Sequence, residues 1–96
     1  MNDPNMHPFR QLMHSIMGSD KFKHKMYEAR LRADWPRLMG KMINDYTDDI
    51  QVRNHKLILT ISSAPLKQEL TASKQKFLNL IHRHIGEAFF KDIVIR

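Results

Sequence analysis

Ninety-six residues without a cysteine leave room for one domain and one core, and exclude both a disulfide framework and a thiolate metal site. Apolar residues make up 42% and charged residues 27%, the balance of an ordinary globular domain, and no apolar run is long enough to span a bilayer. The net charge of +6, from sixteen Lys/Arg against ten Asp/Glu, points either to anionic partners such as nucleic acid or an acidic protein face, or to a basic solvated surface.

Residues 1–7 read as a loose polar segment before a single domain over 8–96. The opening MNDPNMHPFR lacks the basic-then-apolar order of a signal peptide, so a cytoplasmic location is expected. Pro8 suits the first turn of a helix, where its missing N–H costs nothing. Phe9, Leu12, Met13, Ile16 and Met17 follow at helical spacing, and Gly18 stops the helix. Asp20 is the expected N-cap of a second helix running from about Lys21 toward Trp35. Its wheel carries two apolar stripes. Phe22, Met26, Ala29 and Ala33 form one; Tyr27, Leu31 and Trp35 form the other, extended by Leu38 and Met42 if the helix continues. Such a helix is expected to be sandwiched, with the first helix on one side and a sheet on the other. Pro36 kinks it or opens a further turn, and Gly40 ends it. Lys21, Lys25 and Arg32 share one solvated edge, interrupted by Glu28; Lys23, Arg30 and Arg37 share the other.

From Asp48 the period becomes two. Ile50 and Val52, then Leu57, Leu59 and Ile61, predict two strands joined at Asn54-His55, since Asn tolerates the positive φ of a tight hairpin turn. Ser62 or Ser63 caps the next helix, whose core stripe is Leu66, Leu70, Phe77, Ile81 and Ile85, with Ser73 at the missing turn and Gly86 at the end. Residues 92–95 predict a last strand. The fold class is therefore α+β in the order α-α-β-β-α-β, with helices on one face of a small three-stranded mixed sheet. The last strand is parallel to the second because a helix crosses between them.

No constellation for chemistry emerges. The six histidines are not grouped at ligand spacing and read as surface residues. Asp48-Asp49 reads as a solvated turn with no nucleophile in register, and Ser62-Ser63 is explained by capping. Gly18, Gly40 and Gly86 stand alone, so no phosphate-cradling loop is present. A non-enzyme without metal or cofactor, and without a membrane partner, is expected; a monomer is favoured. Two binding surfaces remain. The open sheet face should show Gln51, Arg53, Ile58, Thr60, Val94 and Arg96, without the paired aromatics of a base-stacking platform. Trp35 is either core or, with Arg32 and Arg37 beside it, a protein-contact hot spot. The basic residues expected to meet nucleic acid are Lys21, Lys25, Arg30, Arg53, Lys56 and Arg96.

Glu28-Ala29-Arg30, Trp35-Pro36, Leu38-Met39-Gly40, the run from Leu57 through Ser62-Ser63-Ala64-Pro65 to Glu69-Leu70, and the closing Ile93-Val94-Ile95-Arg96 together resemble the DciA-like family across about residues 9–96. The resemblance implies a KH-like fold and a non-catalytic accessory role in loading the replicative helicase DnaB onto DNA. It further implies a short form like that of Bacteroidetes-type bacteria. Trp35 and Gly40 match the family's tryptophan and glycine, which implies a helicase contact at Trp35. The Gly-x-x-Gly clamp of a true KH domain is missing, and the basic tail of longer relatives is not found in these residues. A KH-like RNA- or single-stranded-DNA-binding protein is the alternative.

Overall fold

The structure, a computed structural model, describes residues 7–96. The expected loose start therefore lies outside the described residues over 1–6, while His7 already opens a helix. The elements are α1 (His7–Gly18), α2 (Asp20–Met39), α3 (Lys41–Asp45), β1 (Thr47–Arg53), β2 (Lys56–Ile61), α4 (Ala64–Ala72), α5 (Lys74–Ile85) and β3 (Asp92–Ile95). The class is α+β, in the expected order with two refinements. A short α3 follows Gly40, and the last long helix divides at Ser73. There the Ser73 N–H bonds the Glu69 carbonyl and the Ser73 carbonyl accepts from the Phe77 N–H, both at 3.0 Å. The helical ladder is re-started rather than lost.

The sheet order is β1-β2-β3. β1 and β2 are antiparallel, with Ile50 opposite Leu59 and Arg53 opposite Lys56. β2 and β3 are parallel, with Leu57 opposite Ile93 and Ile58 opposite Val94. The hairpin turns on Asn54 and His55, both at positive φ (51° and 59°), the geometry that matches the natural twist of the strands. Ile50, Val52, Leu57, Leu59, Ile61 and Ile93 point to one face and are buried. They join Leu66 and Leu70 of α4, Phe77, Leu78, Ile81 and Ile85 of α5, and Tyr27, Leu31 and Trp35 of α2 in one core. Phe89 and Phe90, in the loop before β3, belong to it as well.

Three local expectations are corrected. Ser19, not Asp20, caps α2: its hydroxyl accepts the Phe22 N–H at 3.2 Å. Asp20 then sits in the first turn, where a carboxylate complements the helix dipole. Asp48-Asp49 is no turn but the irregular start of β1, where the register shifts by one residue. Most significantly, α2 is not sandwiched. Only its Tyr27–Leu31–Trp35 stripe is buried, Ala29 and Ala33 are exposed, and the apolar side chains of α1 face solvent instead of packing along α2.

Candidate functional site

The Trp35–Gly40 segment is built for support. α2 runs through Pro36 to Met39, and Trp35 is 1% exposed. Its Nε1–H donates to the Thr47 hydroxyl at 3.0 Å, and that hydroxyl donates to the Ile43 carbonyl at 2.6 Å. One indole thereby ties α2 to α3 and to the start of β1. The contact role for Trp35 gives way to the core role, because a buried ring offers a partner no surface. Gly40 takes φ 86°, ψ 169°, a conformation essentially restricted to glycine, and its N–H bonds the Pro36 carbonyl at 2.9 Å.

Arg32 is likewise committed to the fold. β1 is an edge strand, and α2 lies along it. The Arg32 guanidinium donates to the Ile50 carbonyl at 2.8 and 2.9 Å and to Asp49 at 3.2 Å. Glu28 accepts the Val52 N–H at 2.9 Å. These side chains occupy the groups that an edge strand otherwise offers to a foreign strand. Hydrogen bonds from Gln51 first, then from the Ile50 N–H, with Arg32 and Arg96 adding charge, hold the Asp49 carboxyl below its usual value. Of the expected partner-contact side chains, Arg37 is the most exposed; it pairs with Asp34 at 3.3 Å.

The expected nucleic-acid residues divide. Lys21 and Lys25 of α2 line a shallow groove with Arg53 and the hairpin turn. The acids of this groove are engaged: Asp20 faces the His55 ring at 3.2 Å, and Glu28 holds the β1 edge. Lys21, Lys25 and Arg53 form no ion pair among the described residues. Lys56 stands directly opposite Arg53, an arrangement of like charges that costs a few tenths of a kcal/mol, though Asp92 of β3 stands opposite Lys56 on its other side. Arg30 is elsewhere, donating to the His84 carbonyl at 3.0 Å at the end of α5. Arg96 lies at the far end of the open sheet face, about 13 Å from Arg53 along the strands. The open face carries Gln51, Ile58, Thr60 and Val94, all half-buried.

Four histidines are structural rather than loose surface residues. His24 donates Nδ1–H to the Asp20 carbonyl at 2.6 Å and accepts the His55 N–H on Nε2 at 2.8 Å, so the α2 terminus holds the hairpin turn. His82 accepts the Phe90 N–H at 3.0 Å, and His84 meets Asp34 at 2.8 Å. That contact, above all, lowers the Asp34 carboxyl. The rings of His24, His55 and Phe89 pack at 4.4–4.8 Å. The sequence signal for this cluster was Phe89-Phe90 just after the helix-ending Gly86, an apolar pair with no period around it. Among the described residues no group of three or more His, Asp or Glu could hold a metal ion, and no helix is long and apolar enough to cross a membrane.

No curated protein and no solved structure matches the chain. The family model described as "Dna[CI] antecedent, DciA" matches residues 8–95, from the first turn of α1 to the end of β3. The match takes in the buried tryptophan, the Gly40 break, the strand-to-helix segment and the closing strand, and it supports a replication-related adaptor role. The chain belongs to the DciA family.

Proposed function

We propose that the chain is a non-catalytic adaptor that binds the replicative helicase DnaB and assists its loading at DNA replication, with a weak, charge-driven contact to DNA. The family match over residues 8–95 carries the reading. The architecture suits it, since the polar side chains with defined partners brace the fold, and the surfaces left over include a basic groove and an apolar helix. The test is association of the purified chain with its cognate helicase. Binding at low micromolar concentration or tighter supports the reading, and no detectable association at that concentration rejects it.

The second reading, a protein whose main ligand is RNA or single-stranded DNA, is favoured by one observation: Lys21, Lys25 and Arg53 converge on the hairpin groove without carboxylate partners. Three phosphate contacts on a single strand give a slope of log affinity against log salt of about −2. A nucleic-acid affinity independent of salt, or none at low salt, removes it.

A further inference from the structure

α1 carries Phe9, Leu12, Met13, Ile16 and Met17, a stripe spaced three and four residues apart. These side chains remain 40–58% exposed, on the order of 500 Å² together at aromatic-like sizes. A patch of that size equals the largest on a typical soluble monomer and is often functional. The molecule measures 58 × 23 × 19 Å with a radius of gyration of 16.6 Å, against about 12–13 Å for a compact domain of this length. α1 lengthens the molecule rather than closing over its core. An isolated helix of twelve residues is marginal in water, so its stability comes from what its apolar face meets.

The charges around the stripe select the occupant. α1 contains no acidic residue. At 100° per residue Arg10 and His14 border one edge of the stripe, and the unpaired Lys21 and Lys25 follow in the first turns of α2. A second copy would bring these basic edges, and two chains of +6, against each other. Two stripes would bury about 1,000 Å² in all, the lower limit of a specific interface. An apolar groove with an acidic rim satisfies both stripe and edges, in the manner of an amphipathic helix laid into a groove.

We propose that α1 is the docking element of the adaptor, seating its Phe9–Met17 stripe in an apolar, acid-rimmed groove on the helicase; this rests on the function proposed above. The test compares the full chain with L12Q/I16Q, which keeps good helix formers while removing the stripe, with R10E, and with K76Q on the exposed face of α5 as a control. Affinity for the helicase is measured by calorimetry at two salt concentrations, with melting temperature and sedimentation alongside. The expected result is at least a tenfold loss for L12Q/I16Q at an unchanged melting temperature, a smaller loss and a flatter salt dependence for R10E, and no change for K76Q. Unchanged affinity in L12Q/I16Q while the wild type binds overturns the docking role and leaves the adaptor reading standing. A marked fall in melting temperature overturns it too, by showing that the stripe packs on its own domain. So does a wild-type dimer that L12Q/I16Q dissolves. No binding by the wild type overturns the adaptor reading itself, and the docking role with it.

Discussion

Trp35 meets Phe77 edge-on with ring centroids 6.0 Å apart and hands its N–H to Thr47. Truncating it to Ala should cost about 3–5 kcal/mol. Trp35→Phe keeps an aromatic ring in the core, loses the hydrogen bond, and should cost less than half as much; urea unfolding measures both. Helicase binding lost in Trp35→Ala alone would thus report unfolding, not a lost contact. Gly40 has open space where a Cβ would stand, so Gly40→Ala isolates backbone strain and should cost about 1–3 kcal/mol. Burial, and then the hydrogen bond to Glu87 at 2.6 Å, push the Tyr27 phenol up to about 12. A raised folded value means that the neutral phenol's contribution to stability is present below pH 10 and is lost as pH rises through about 12. Alkaline absorbance titration of Tyr46→Phe, which leaves Tyr27 as the reporter, should show ionisation near 12; ionisation near 10 contradicts the buried bond. The same bond, with Lys23 at 3.3 Å, holds Glu87 below its usual 4.5. Its contribution is present above that value and fades as pH falls below it, so the melting-temperature difference between wild type and Glu87→Gln should be largest near neutrality and shrink by pH 3.

The elements were legible wherever one sequence period met one packing surface. β2, β3, the Asn54-His55 turn and the stripe of α4 and α5 stand where alternation and helical spacing place them. The sequence misleads where period and packing part company. α1 has as clear an amphipathic pattern as α5, yet nothing in a helical period tells whether its apolar face meets this chain or another. Ser19-Asp20 presents two good caps in a row, and only backbone geometry chooses between them. Two side chains of α2 that read as part of a charged rim, Glu28 and Arg32, are spent on the β1 edge, because an exposed strand edge demands partners that spacing along a helix does not reveal. What spacing did foresee is the proximity of Lys21 and Lys25, one turn apart; that Arg53 joins them depends on the hairpin folding back onto α2. At this scale the groove yields its own test. The triple variant Lys21→Gln, Lys25→Gln, Arg53→Gln should flatten the salt dependence of DNA binding by about 2 in log–log slope without lowering the melting temperature. An unchanged slope would place the phosphate contacts elsewhere, with Lys67, Lys76, Arg83 and Lys91 as the next basic groups to examine.

As a whole the molecule has two parts with different physics. Residues from α2 to β3 enclose one apolar core, edged by partnered carboxylates and histidines such as Glu28, Asp34, Glu87, His24 and His84. α1 projects from it with an apolar stripe that the core leaves uncovered, next to basic groups that lack acids. A domain of this design is suited to holding and presenting a surface. Membership of the DciA family supports a replication-related adaptor role, and the proposed partner is the replicative helicase. The most direct measurement is calorimetric titration of the full chain into its cognate DnaB helicase without nucleic acid present. Saturable association at low micromolar concentration or tighter, weakened by added salt, is the expected result of an adaptor that binds through this surface. No heat of binding at any salt concentration, with the chain folded, would contradict it.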